Sequence, residues 1–338
     1  MDRRLQQLQQ WLQHSTGDAY QSIQPASSDA SFRRYFRVHW QHGGSSILMD
    51  SPPDKGALAP FIAIGDHLRQ WHLNTPHIEQ YDLSLGAALL TDLGDLNYQT
   101  ASRQSENIES LYQDALQVVH KLQQIPIDSY PLPHYDRSRL ITELQLFDQW
   151  FLKLYQAVSL THVEQQALNQ VYQQLCDQAL HQPQVWVHRD LHSRNLMVTK
   201  DNNPGLLDFQ DAVIGPVTYD LVSLFKDCYI HWHKPQRYHW LARSWQQSPW
   251  ANQVSLDEFI RWFDWMGVQR HLKVLGLFVR LQLRDQKSYY LQNLPLVMDY
   301  VLETVAQYSE LAVLGELIER YRLDQAAYEA QQRLLCEP

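Results

Sequence analysis

The 338-residue chain is short of glycine, cysteine and charge. Twelve glycines are too few for a fold built on repeated glycine-rich turns. The three cysteines, Cys176, Cys228 and Cys336, are far apart and form no CxxC pair. That excludes a disulfide framework and a thiolate zinc site, and fits a reducing compartment. No apolar run approaches the roughly 18 residues of a membrane span. The opening residues Met1 to Leu8 enter a polar amphipathic helix with no secretory apolar stretch, so a cytoplasmic location is expected. Basic residues are outnumbered, 28 against 37 acidic, for a net charge of −9. This argues against a general nucleic-acid or anionic-membrane binder, though it leaves room for a local basic pocket. His231, Trp232 and His233 with His239 lack the carboxylate or thiolate spacing of a transition-metal site. No protein partner is evident.

What is present is a globular composition, 44% hydrophobic and 12% aromatic. Leu5, Leu8 and Leu12 give residues 3–14 a helical stripe. Residues 31–38 (Ser-Phe-Arg-Arg-Tyr-Phe-Arg-Val) alternate as a strand, with Phe32, Arg34, Phe36 and Val38 on one face and Arg33, Tyr35 and Arg37 on the other. A turn at 42–45 leads to a returning strand at 47–49. A helix over 58–72 and a strand over 86–91 follow. Beyond Asn97 the pattern is helical, at 106–124, 137–157, 161–181, 255–284 and 294–320, with a strand-rich island at 185–214. The expected fold is α+β and bilobal, protein-kinase-like. Residues 1–95 would form a small sheet-rich lobe and 96–338 a larger helical one, with a cleft between them.

The island carries the chemistry. An apolar strand, Val185-Trp186-Val187, runs into His188-Arg189-Asp190, and Asn195 follows Asp190 at the H-R-D-x-x-x-x-N spacing of phosphoryl-transfer kinases. A second strand ends in Asp208. Phosphoryl transfer needs positioning and charge neutralisation more than covalent help. Asp190 suits the orienting of an acceptor hydroxyl and the taking of its proton, and also contacts that substrate. Asn195 and Asp208 supply neutral and anionic oxygens for Mg²⁺. His188 suits a buttress of the loop, Asp220 a brace for it, and Gly215-Pro216 a turn.

Asp208-Phe209-Gln210-Asp211-Ala212, then Gly215-Pro216 and Tyr219-Asp220-Leu221, resembles the aminoglycoside-phosphotransferase-like small-molecule kinases. The interval from Asp208 to Tyr219 leaves no room for a peptide-docking activation segment, and no A-P-E occurs. Within that family, three segments resemble the bacterial amino-sugar anomeric kinases of cell-wall recycling. They are residues 28–37 (Ser-Asp-Ala-Ser-Phe-Arg-Arg-Tyr-Phe-Arg), 49–53 (Met-Asp-Ser-Pro-Pro) and 266–276 (Met-Gly-Val-Gln-Arg-His-Leu-Lys-Val-Leu-Gly). With residues 90–94 and 208–212 the likeness spans most of the chain. It implies ATP and Mg²⁺ as cofactors. The implied reaction is phosphoryl transfer from ATP to the C1 hydroxyl of N-acetylmuramate or N-acetylglucosamine.

One departure stands out. Met49 falls where this superfamily carries a strand lysine, and the helix over 58–72 contains no glutamate. Losing both avoids an orphan buried charge. The nearby strand offers Arg33, Arg34 and Arg37, whose guanidinium forks suit phosphate. Arg33 is favoured because it lies beside the 28–31 turn, whose Ser31 backbone would help cover the phosphates. Thr91, Asp92 and Leu93 would hold the adenine ring. On the acceptor side Arg270 and His271 are the expected contacts, with Lys273 on the same helix, and Arg33–Arg37 and Arg270–Lys273 are expected to form a local cationic cleft. A kinase for another alcohol, of choline or aminoglycoside type, and a catalytically inactive kinase-fold binding module remain the alternatives.

Overall fold

A computed structural model describes residues 2–27, 33–54, 58–104 and 107–336. Helix α1 (Arg3–Thr16) precedes strands β1 (Tyr20–Ser27), β2 (Arg34–Trp40) and β3 (Ser45–Asp50). Helix α2 (Leu58–Gln70), strands β4 (Ile78–Asp82) and β5 (Ala87–Thr91), and helices α3 (Tyr98–Gln104) and α4 (Ile108–Gln124) follow. Helix α5 (Arg137–Leu146) continues as a π-helical stretch, Phe147–Tyr155, and α6 (His162–His181) leads to β6 (Gln184–Val187). Two short strands, β7 (Leu196–Met197) and β8 (Gly205–Leu206), precede β9 (Val213–Pro216). The remainder is mainly helical: α7 (Tyr219–Phe225), α8 (Lys234–Gln247), α9 (Leu256–Asp285), α10 (Leu294–Val305), α11 (Ala312–Arg320) and α12 (Leu323–Cys336). The fold is α+β, an antiparallel sheet first and a larger helical part after it. Among the described residues no helix is long and apolar enough to cross a membrane.

The chain forms two compact units, Met1–Ala115 with Asn195–Asp211, and Leu116–Arg194 with Ala212–Pro338. In the first, the sheet runs β1-β2-β3-β5-β4 with every neighbour antiparallel. The expected alternation of β2 holds: Phe36, Val38 and Trp40 are buried with Leu48, Ala87 and Leu89 against Leu8 and Leu12 of α1. Asp2 caps α1 by accepting from the Arg4 and Leu5 amides, and Gly17 closes it in the left-handed conformation (φ 69°). The sequence reading missed β1 and β4, the two edge strands. A half-solvated edge needs no apolar alternation, and Pro25 and Glu79 blur what little there is. The β7–β8 hairpin belongs to this unit through its bridges to Asn74 and Asn97 and the bond from the Val198 amide to the Leu96 carbonyl (2.7 Å).

In the helical unit α9 is the spine, 30 residues long and buried along most of its length from Phe259 to Leu281. Two expectations change here. Gly215-Pro216 is not a turn but the end of β9, paired with Val185 and Gln184 of β6, and Gly215 lets that strand lie against Tyr135. Residues 137–157 are not one α-helix, since the hydrogen bonding widens to π from Phe147 onward. That change falls where α9 comes closest. A Cβ on Gly276 would overlap the carbonyl of Leu146 and crowd the amide of Phe147. Backbone cannot yield there as a flexible side chain does. We therefore expect Gly276→Ala to lose more than about 3 kcal/mol of stability. Urea unfolding of the variant measures this, and a midpoint equal to the parent's would contradict the close approach.

Candidate active site

Residues 188–194 belong to the helical unit and Asn195 and Asp208 to the sheet unit. In the helical unit the buried strand β6 delivers His188 and Arg189 into a loop that has left its ladder partner. The orphaned amides find a side chain instead. Asp220, in the first turn of α7, accepts from the His188 amide (2.7 Å) and the Arg189 amide (3.0 Å). This is the brace expected from the sequence. A second carboxylate, Asp227, accepts from the Ser193 amide (2.8 Å) and the Tyr229 amide (2.8 Å) and fixes the far end of the loop. Burial pushes the Asp220 carboxyl up to about 7, against the pull of its two amide donors. His188 is 1% exposed, a placement for supporting the loop from within.

Asp190 is half-buried. Burial opposes its ionisation, but Lys273, His192, Arg189 and Arg270 outweigh it and hold the carboxyl below its usual value. Arg189, immediately before it, sits in the left-handed region (φ 75°). Arg270 is buried: its Nε donates to Ser223 Oγ (2.8 Å), its Nη1 to Cys228 Sγ (3.4 Å), and it lies over the Tyr219 ring. Because Ser223 Oγ donates in turn to the Arg189 carbonyl (3.3 Å), Arg270 is joined to the loop through one hydroxyl. His271 is fully enclosed: its Nε2 donates to the Lys226 carbonyl (2.9 Å) and its ring stacks on Tyr300. The structure therefore brings Arg270 to the loop and gives His271 no exposed surface.

In the sheet unit, Leu196 and Met197 pair with Leu206 and Gly205, and the Leu207 amide donates to the Asn195 carbonyl (2.9 Å). That register puts Asn195 and Asp208 at the same open end of the hairpin. Asp208 is exposed, left-handed (φ 63°), and accepts from Gln210 Nε2 (2.7 Å). Phe209 turns inward and stacks on Phe61 of α2 with ring centroids 4.8 Å apart. Gly65 makes room for it, since a Cβ there would come within 3.1 Å of the ring. Met49 is buried on β3 opposite Tyr35 and Ala88.

The arginine run is less cationic than expected. Asp50, fully buried, accepts from Arg34 Nε (2.9 Å) and Nη2 (2.7 Å) and from Arg4 Nε (2.9 Å), while Arg34 also reaches Asp2. Arg37 is bound by Asp92 (2.6 Å) and Asp95. Charges close enough to bond neutralise one another, so Arg34 and Arg37 are committed within the sheet unit, while Arg33 lies half-buried just before β2. Ser31 lies outside the described residues. The Thr91 amide donates to the His77 carbonyl (2.9 Å), the Asp92 carboxylate also accepts from Ser45 (2.7 Å) and Gly94 (2.9 Å), and Leu93 lies against Gly205.

A braced loop carrying Asp190, and a hairpin presenting Asn195 and Asp208, are the parts of a phosphoryl-transfer enzyme. The comparisons agree. The model of the APH phosphotransferase enzyme family matches residues 22–262. The chain belongs to that family, and it is a nucleotide-dependent kinase rather than an inactive binding module. It is 42% identical to the N-acetylmuramate/N-acetylglucosamine kinase of Pseudomonas putida over 94% of this chain and 96% of that one. It is 38% identical to the kinase of the same name from Neisseria meningitidis, over 92% and 94%. Among solved structures, ADP-bound aminoglycoside phosphotransferase APH(2'')-Ib shares the fold with a TM-score of 0.62 at 14% identity, over 92% of this chain and 99% of that one. Choline kinase LicA from Streptococcus pneumoniae shares it with a TM-score of 0.61 at 12% identity, over 90% and 99%.

Sequence reasoning missed Asp227 and Glu143. Neither lies in a motif, and only burial beside the loop distinguishes them. It also placed His271 on the acceptor side, where a buried histidine has a measurable signature. Burial depresses its pKa well below 6.5, with Arg270 and Lys226 adding to the effect. A proton on Nδ1 would bury a charged donor that has no acceptor. Its stabilising contribution is thus complete above pH 6.5 and lost as pH falls below that value. Between about pH 7.5 and about pH 5.5 the parent should lose about 1.4 kcal/mol more stability than His271→Gln. Urea midpoints at the two pH values give the comparison, and the subtraction cancels the other depressed histidines, His67, His120, His192 and His231. Equal losses would place His271 in solvent.

Proposed function

We propose that the chain transfers the γ-phosphoryl group of ATP to the anomeric C1 hydroxyl of N-acetylmuramate and N-acetylglucosamine, in the recycling of peptidoglycan sugars in the cytoplasm. The observation that carries this is the 42% identity to a kinase of that name across nearly the whole of both chains. In this reading residues 1–95 cover the nucleotide and residues 96–338 carry the catalytic loop and the sugar pocket. Asp190 orients the C1 hydroxyl and takes its proton as that oxygen bonds to the γ-phosphorus and ADP leaves with the broken P–O bond. His188 supports the loop. A carboxylate kept ionised by neighbouring cations is ready to accept that proton.

Asn195 and Asp208 suit Mg²⁺, for both offer oxygens at one end of a hairpin, and Mg²⁺ takes one or two protein ligands beside phosphate. When bound, the ion would neutralise charge on the phosphates. Arg33 contacts the phosphates beside Ser31, and the 91–93 segment holds the adenine. The lactyl carboxylate of N-acetylmuramate calls for a cation, and Arg270 is the assigned contact. His271 shapes that pocket only from behind.

Incubation with Mg·ATP and a panel of acceptors, followed by ³¹P NMR, tests this reading. An acid-labile glycosyl phosphate from both amino sugars is expected. Product only from choline or an aminoglycoside would overturn it. Asp190→Asn should lower kcat by roughly 10²–10⁴-fold with nucleotide binding retained, and near-normal turnover would remove Asp190 from its role. Arg33→Ala should raise the KM for ATP about tenfold while leaving the sugar KM in place. An unchanged KM for ATP would exclude Arg33 from the phosphates.

A further inference from the structure

Three side chains from separate segments converge on Glu143, near the end of α5. Arg189 from the catalytic loop bonds Oε1, Lys273 Nζ from α9 lies 3.1 Å from the same oxygen, and the Tyr135 hydroxyl donates to Oε2. All three charged groups are nearly buried, with side-chain exposures of 13% for Glu143, 12% for Lys273 and 17% for Arg189. A further layer holds them. Lys273 Nζ donates to the Tyr219 hydroxyl (3.2 Å), Gln269 Nε2 to the Tyr135 hydroxyl (3.3 Å), and the Arg189 guanidinium lies over the Tyr135 ring. Burial disfavours charge on Glu143, yet Lys273 and Arg189 more than compensate and keep it ionised.

Arg189 is where this cluster meets the chemistry. Its left-handed backbone costs on the order of 1 kcal/mol or more, and such strain persists only where the surroundings over-determine it. Here they do. The Arg189 amide is held by Asp220, its carbonyl by Ser223, and its guanidinium by Glu143. The guanidinium bond to Glu143 is thus a third hold, beside the two backbone bonds, on the residue that leads into Asp190. The groups facing Asp190 are Lys273 and Arg270 from α9, Arg189 and His192 from its own loop, Asp220 from α7, and Cys228 just beyond it.

We propose that Glu143 is a positioning residue for phosphoryl transfer, acting through Arg189: it locks the left-handed turn that aims Asp190. The proposal rests on the reading of Asp190 as the group that takes the acceptor proton.

Glu143→Gln, which removes the charge and keeps the shape, is compared with Arg189→Met and with the double variant. The expected result is a kcat roughly 10- to 100-fold lower in Glu143→Gln, as for a small misplacement of a catalytic group, with the KM for ATP within about twofold of the parent. The double variant should lose no more than Arg189→Met alone, because the two side chains act as one unit. A kcat within about threefold of the parent, or losses that multiply in the double variant, would overturn the proposal. If Glu143→Gln does not fold, Glu143→Asp, which keeps the charge at shorter reach, is judged by the same split and the same cycle. Asp190→Asn runs alongside: if it retains turnover, the reading of Asp190 fails, while the cycle still decides whether Glu143 acts through Arg189.

Discussion

A chain that leaves a buried strand to form a catalytic loop carries amide groups that have lost their ladder partners, and buried amides must be satisfied. Here one carboxylate does this for two consecutive residues. Asp220 receives the amides of His188 and Arg189, and leaving either buried amide unpaired would cost about 1–3 kcal/mol. The left-handed turn at Arg189, the orientation of Asp190 and the attachment of Arg270 through Ser223 all depend on that anchor. Asp227 repeats the solution at Ser193. The loop is thus held from below by two acids on the segment that follows β9.

The charges around the loop explain how an acidic protein builds a site for anions. Much of its visible cationic character is spent internally: Arg34 on Asp50, Arg37 on Asp92, Lys273 on Glu143. Such pairs contribute modestly to stability once desolvation is counted, and their larger effect is to fix geometry. Asp50 shows the pattern well. A fully buried carboxylate between Arg4 and Arg34 ties α1 to the sheet, at the strand that follows Arg33. Met49 beside it is plain core. Helix α2 meets the Asp208 segment through stacked rings, Phe61 on Phe209.

The parts of this molecule that the sequence disclosed are those where chemistry is local. The His188-Arg189-Asp190 run, Asn195 and Asp208 are recognisable because loop length and strand register set their spacing. The face of β2 was legible from alternation, and α9 from its length. The edge strands β1 and β4 were not, since half-solvated edges carry no periodic signal. Nor were Glu143 and Asp227, whose importance comes from distant segments meeting at them. His271 was expected with Arg270 on the acceptor side, but its ring is fully enclosed between the Lys226 carbonyl and Tyr300.

Helix α9 has one more consequence. Thirty residues at about 1.5 Å each make a rod of about 45 Å, and along it Gly276 lies flush against the backbone of Leu146. That contact works as an index mark. Within two turns upstream, Arg270 and Lys273 are cut into the same ruler, so neither can be re-aimed by sliding or tilting without moving the other. Side chains along this stretch can therefore change as letters along a fixed scale without shifting the scale itself.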